Sequence, residues 1–391
     1  MKVWSRRLVL AFAGTAVVWL MGVAMTGQAA AQATPAAAPA KEKMAGEVFK
    51  NVTTSTLKGV TVADFMGAMG VMAAALAFDC SDCHTGAGTD KVVWESDTER
   101  KVMARKMTEM VAVINRDNFK GVQEVTCWTC HHGRSRPATT IALDMLYGPP
   151  NEEKDDVIAP GEGVPTATQI LDKYIEAVGG AQKLATLKSY IATGTQGGYQ
   201  RVRGGGKFEI FAKAPDQRAV VISFPDAKDR GTQSRVYDGK IAWVNVPRSV
   251  LGEYQVTGSE LSGYRLDALL SFPGQIKTAL NNWRSGFADN INGKEVNVVQ
   301  GTGPNGLLAT LYFDKQSGLL TRIVRYARSP IGHVSVQVDY DDYRDVNGIK
   351  FPFSYTFSWL DGKDAFQLTD VKTNVPVDAA KFGKPSGGTT H

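Results

Sequence analysis

The four cysteines of this chain fall in two identical patterns, Cys80-x-x-Cys83-His84 and Cys127-x-x-Cys130-His131. Two cysteines three residues apart share one helical turn. Each can form a thioether to the same porphyrin, and the adjacent histidine then lies over the iron as proximal ligand. The chemistry implied is covalent attachment of two haem c groups. Cys80, Cys83, Cys127 and Cys130 hold the porphyrins, and His84 and His131 hold the irons. The rival for paired C-x-x-C motifs is structural zinc, whose ribbons place their pairs about 15–20 residues apart. Here 43 residues lie between Cys83 and Cys127, and a histidine directly follows each pair, which favours haem.

Sixth ligands must come from elsewhere. The chain has five histidines, and once the proximal pair is assigned only His132, His333 and His391 are left. Methionine sulfur is then the natural distal donor and raises the reduction potential. Two helical stripes carry it: Phe65, Met69, Met72 and Leu76 before the first motif, and Met103, Met107, Met110 and Ile114 before the second. Packing alone also accounts for methionines on a helix. The stripes leave Met66, Met69 and Met72 open for one iron, and Met103, Met107 and Met110 for the other. His132, Arg134 and Arg136 suit haem propionates or plain surface.

These residues need elements to hold them. Thr61 with Asp64 predicts the start of a helix running to Phe78, whose Gly67, Ala68 and Gly70 let a flat group approach the backbone. Ser96 with Glu99 reads as a capping box opening a second helix to about Asn115. Helix, loop and motif thus occur twice, as a duplicated unit.

Around this unit the chain divides further. Residues 1–33, with basic Lys2, Arg6 and Arg7 before an 18-residue apolar run, read as an export signal or an uncleaved membrane anchor. Residues 34–60 form a tether and lead-in, 61–150 an all-α dihaem domain, and 151–165 a Pro/Gly-rich linker. From 166 to 384 the pattern turns to alternation, as in Lys207–Lys213, Arg218–Phe224, Gln233–Tyr237, Ile241–Val246 and Val334–Tyr340. Asp238-Gly239, Asn347-Gly348 and Asp361-Gly362 are hairpin turns. The expectation is an α+β domain: a curved antiparallel half-barrel of about ten strands with one or two helices, one of them near Leu261–Trp283. Residues 385–391 are a tail. Hydrophobic residues make up 43% of the chain and charged residues 21%, which excludes a disordered or multi-span protein. Residues 34–165 hold 14 Lys/Arg against 18 Asp/Glu, and residues 166–391 hold 27 against 21. Such an asymmetry suits steering of a redox partner or ordinary solvated surface.

Residues 61–137 resemble the cytochrome c subunit family of photosynthetic reaction centres. The likeness rests on Phe65 to His84, on Ala104-Arg105-Lys106-Met107-Thr108-Glu109-Met110 through Asn115, and on Val125 to His131. It implies Met69, eleven residues before Cys80, and Met107 as the distal ligands. This chain has motifs for two haems where the full reaction-centre subunit has four, and His132 stands where an arginine is usual. The second half resembles more weakly the periplasmic lipoprotein-carrier fold, through Asp238 to Trp243, Tyr312 to Asp314 and Gly348 to Pro352.

Together these readings imply a periplasmic dihaem electron carrier, not an enzyme. Its redox partner would be a membrane-bound photosynthetic reaction centre or a small soluble carrier. No nucleic-acid role is implied, membrane association through the leader is open, and a lipophilic ligand in the β half is an option. The alternatives are a carrier of a non-photosynthetic periplasmic chain, a haem-linked lipid or quinone binder, and a dihaem peroxidase.

Overall fold

The computed structural model describes residues 42–89, 91–140, 157–198, 205–225, 231–247 and 249–385. The leader, the tether to residue 40, residues 151–156 of the linker and most of the tail lie outside the described residues. The described part before the linker is helical: α1 (Ala45–Val48), α2 (Ser55–Lys58), α3 (Val62–Leu76), α4 (Cys80–Cys83), α5 (Glu99–Asn118) and α6 (Cys127–His131). Thr61 caps α3 as expected, its hydroxyl accepting from Asp64 N–H at 3.2 Å. The capping box assigned to Ser96 and Glu99 is not formed. Thr98 is the N-cap of α5, accepting from Lys101 N–H, which makes Glu99 the first helical residue.

After the linker come α7 (Ala167–Ala177) and α8 (Ala181–Ala185). Six strands then follow one another: β1 (Ser189–Gly198), β2 (Gly206–Lys213), β3 (Gln217–Ser223), β4 (Gln233–Tyr237), β5 (Ala242–Asn245) and β6 (Glu253–Val256). Helices α9 (Gly258–Leu270) and α10 (Ile276–Ala279) interrupt them. The rest is β7 (Asn281–Ser285), β8 (Asp289–Ile291), β9 (Lys294–Thr302), β10 (Leu308–Asp314), β11 (Leu320–Ser329), β12 (Gly332–Val346), β13 (Ile349–Trp359) and β14 (Gly362–Thr373).

All fourteen belong to one curved antiparallel sheet, in the order β6-β5-β4-β3-β2-β1-β14-β13-β12-β11-β10-β9-β7, with β8 also on β9. Two meanders thus meet where β1 pairs with β14. The sheet is larger than the ten strands expected, because β6, β7 and β8 have four, five and three residues, too few to show alternation. The helical insert is shorter than expected. Phe272-Pro273 breaks it, since proline removes a backbone donor and disfavours helix at the residue before it. Asn347 and Gly348, with φ of 54° and 80°, make the expected tight turn between β12 and β13.

The concave face closes over α7 and α9. Ile170, Leu171, Tyr174, Ile175 and Val178 form one helical stripe that meets Leu266, Leu269, Phe208 and Phe351 in the main core. On the outer face, Phe211, Ala219 and Val236 are covered by Phe382 of the C-terminal turn.

The helical part is built onto this sheet. Helix α3 lies across β11 and β12. The hairpin tip between those strands reaches under it, and Ile331, fully buried, packs with Leu57, Phe65, Ala68 and Val71. Gly67 permits the approach, because a Cβ there would stand 2.9 Å from Val334 Cγ2. The small residues of α3 that were read as room for a flat group therefore also make room for the sheet.

Candidate haem-binding site and inner cavity

The first motif is a single helical turn, and every end of it is tied down. Asp79 caps it, its carboxylate accepting from Ser81 N–H at 2.7 Å, while Asp82 accepts from Asp79 N–H at 2.9 Å. The C-terminal carbonyls, which a one-turn helix cannot satisfy itself, are taken by α5. Thr98 donates to Cys83 O at 3.1 Å and Arg100 to Asp82 O at 2.7 Å. Arg100 also pairs with the Asp82 carboxylate at 2.6 Å and lies over the Phe78 ring.

His84 follows, edge-on to Trp94 with ring centroids 5.0 Å apart. Its Nδ1 is buried without a hydrogen bond. Burial, aided by the charge of Lys101, lowers the imidazole pKa, while the Trp94 backbone pulls weakly the other way. The neutral ring favoured here is the form that binds a metal. Lys101 is itself buried, its ammonium held by the carbonyls of Trp94 and Ser96 at 2.6 Å each.

Cys80, Cys83 and His84 open onto a cleft of about 170 Å³ whose other wall is α3, with Met66, Met69 and Met72 all lining it. Ala104 and Thr108 of α5 close the side. The structure thus brings the first motif to the expected methionine stripe. The resemblance, not the cleft, selects Met69 from the three.

The second motif is α6, capped reciprocally by Thr126 and Thr129 at 3.0 and 3.3 Å. His131 donates from Nδ1 to Arg134 O at 2.9 Å, leaving Nε2 as the ligand atom, as metal-binding histidines do. His132 adopts φ 47° and turns away, its Nε2 contacting Thr129 O at 3.1 Å, so it takes no proximal position. Cys127 is anchored through its backbone N–H to Ile331 O at 3.1 Å. Burial pushes its thiol up to about 11, and the Cys83 thiol is raised for the same reason. Neither is poised as a thiolate. The four cysteines form no disulfide, and among the described residues no three His, Cys, Asp or Glu side chains converge as a metal cluster.

Met107 is half-buried on α5, between Met103 and Met110, which are 53% and 41% exposed. Val113 of α5 and Trp128 of α6 are likewise exposed, at 40% and 43%. Asn115 fixes the two helices together: it donates to Val125 O at 2.7 Å and accepts from Glu124 N–H and Val125 N–H at 3.1 and 2.9 Å. The sequence assigned Lys101 no role and Asn115 none beyond ending a helix. In each case the missing signal was a distant backbone partner.

A second space lies inside the sheet, a cavity of about 380 Å³ bordered by Tyr174, Tyr190, Tyr340 and Tyr355 and by α3 residues Ala63, Asp64, Met66 and Gly67. Met66 borders both spaces. Arg325 is 3% exposed at its wall and pairs with Glu260 at 3.3 Å and Asp267 at 3.4 Å.

A helical unit with two C-x-x-C-H turns, seated on a curved antiparallel sheet, is the class of protein this geometry defines. Residues 10–159 match the family model of the photosynthetic reaction centre cytochrome C subunit, which takes in the whole stretch where that resemblance was read. The match supports a haem-bearing, electron-transport cytochrome for this part of the chain. No curated protein matches. Similar solved structures include a LolA superfamily protein from Nitrosomonas europaea, at 14% identity and TM-score 0.38, covering 56% of this chain and 99% of that one. A DUF1329 family protein from Desulfovibrio piger has 11% identity and TM-score 0.39, over 56% and 98%. A putative outer membrane lipoprotein-sorting protein domain from Vibrio parahaemolyticus has 12% identity and TM-score 0.37, over 55% and 97%.

Proposed function

We propose that the protein is an exported dihaem c-type cytochrome that carries electrons between protein partners in the periplasm and performs no bond-making catalysis. One observation carries this: both C-x-x-C-H turns are capped helices, the first facing the methionines of α3 across a cleft and the second holding its histidine by a hydrogen bond from Nδ1. When bound, haem c supplies one-electron chemistry at an iron whose potential follows its axial ligands. Cys80 and Cys83 would hold the first porphyrin and Cys127 and Cys130 the second; His84 with Met69, and His131 with Met107, would supply the iron ligands. The electron partner is a photosynthetic reaction centre or a small soluble carrier of a respiratory chain, and residues 1–33 either leave on export or tether the protein to the membrane.

The test is a pyridine haemochrome assay on the exported protein together with a redox titration. Two haems per chain are expected, with Met69→His and Met107→His each lowering one midpoint and removing that iron's Met–Fe charge-transfer band. Fewer than two haems, or an unchanged spectrum in either variant, refutes the corresponding assignment. High-spin haem with peroxide turnover would instead favour a peroxidase. A second reading concerns the β half, where the inner cavity supports binding of a lipophilic ligand.

A further inference from the structure

We infer that the inner cavity takes an amphiphilic acid, an apolar tail bearing one carboxylate or phosphate group, with Arg218 and Arg235 receiving the head. This rests on the reading of the cavity as a lipophilic site and adds the chemistry of the ligand's polar end. Arg218 lies on β3 opposite Tyr237, and Arg235 lies on β4 opposite Val220. Residues directly opposite in an antiparallel pair share a face. Both arginines line the cavity together with Val220 and Tyr237, which makes this face the inner one, and each arginine is half-buried there.

A sheet normally turns such residues outward, because a cation away from water is costly unless it is paired. The acids that could pair with them are already engaged. Glu260 and Asp267 are both held by Arg325, so Asp267 acts on Arg218 only from beyond contact. Asp364 accepts from Gln196 at 2.8 Å, and burial pushes the Asp64 carboxyl towards its neutral form. Arg218 meets the Tyr355 hydroxyl, and among the described residues neither Arg218 nor Arg235 forms an ion pair. Arg328 and Lys350 add further positive charge to the lining. The cavity therefore carries cationic donors in excess of its carboxylates.

A guanidinium fork matches a carboxylate or phosphate in two parallel hydrogen bonds. Much of the remaining wall is apolar or aromatic, including Ile210, Leu320, Val338, Phe357 and Leu368. A volume of about 380 Å³ lies in the range of small-molecule sites, roughly 300–1,000 Å³.

The experiment is calorimetric titration of the full-chain, haem-loaded, delipidated protein with palmitate, methyl palmitate and palmitoyl lysophosphatidic acid. At least one acid should bind about tenfold or more tightly than the ester, the usual scale for hydrogen bonds to charged groups. The tighter of the two acids identifies the head as carboxylate or phosphate. Arg218→Gln should abolish the preference and leave ester binding in place, and Arg235→Gln should reduce it. Equal affinity for all three overturns the acid-head inference while the lipophilic reading stands, and absence of binding by all three overturns both. A preference that survives both variants removes the arginines from the site. The comparison of acid with ester on the unaltered protein decides the inference even where a variant does not fold.

Discussion

At the scale of single residues, the second C-x-x-C-H turn depends on Asn115 for its position. The segment from Glu124 to Val125 leads into α6 and has no sheet or helix partner of its own. Three of its backbone groups bond instead to one amide side chain. Removing that amide leaves the N–H and carbonyl of half-buried Val125 unpaired, while Glu124 N–H keeps its bond to Val122 O at 3.1 Å, and each lost bond contributes about 1 kcal/mol. Asn115→Ala should therefore destabilise the fold by about 2 kcal/mol in chemical denaturation. Asn115→Asp keeps the acceptor for both N–H groups and loses only the donor to Val125, so its loss should be about half as large. Haem content of the alanine variant should fall towards one per chain, because α6 loses its fixed position. Two haems and wild-type stability in Asn115→Ala would show that the segment is held by something else.

At the scale of elements, the sequence made some features plain and concealed others, for reasons that differ between helix and sheet. The two motifs, the Thr61 cap and the long alternating strands were legible because each is a local pattern. The short strands β6 to β8 and the cap at Thr98 were not, since Ser96 and Thr98 both offer a hydroxyl before a helix and only the three-dimensional path chooses. The small residues of α3 were legible as a close approach but not as to what approaches. Two substitutions separate the uses of that surface. A Cβ at Gly67 would meet Val334 Cγ2 at 2.9 Å, whereas one at Gly70 would meet Leu360 at 3.4 Å, an ordinary contact. In a helix interior, Gly→Ala by itself gains about 0.5–1 kcal/mol. Gly70→Ala should therefore raise the melting temperature of the haem-free protein, and Gly67→Ala should lower it, since overpacking against a stiff β-branched side chain costs about 1–3 kcal/mol. Gly70 also lines the first-motif cleft, so its alanine variant should load the first haem less completely. Melting temperatures that move in the same direction would mean that α3 is not seated on β12 as described.

At the scale of the molecule, the decisive residue lies far from both motifs in sequence. Ile331 sits at the tip of the β11–β12 hairpin, yet it is fully buried among α3 side chains, and its carbonyl holds the first cysteine of the second motif. Gln123, in the segment before that motif, donates to Ser329 O at 2.8 Å on the same tip. No local pattern could announce this, because the hairpin reads as ordinary sheet and the helices as a self-contained unit. The consequence is that the sheet supplies part of the helical core, so the two parts should unfold together. Truncating Ile331 to alanine should cost about 2–5 kcal/mol, the range for a large-to-small change in a packed core. It should leave the backbone bond to Cys127 in place. In Ile331→Ala the Soret signal of the haem half and the far-ultraviolet signal of the sheet should shift to lower denaturant concentration together, with coincident transitions as a single cooperative unit requires. A Soret transition that moves while the sheet transition stays fixed would show instead that the helical unit stands alone and only rests on the hairpin.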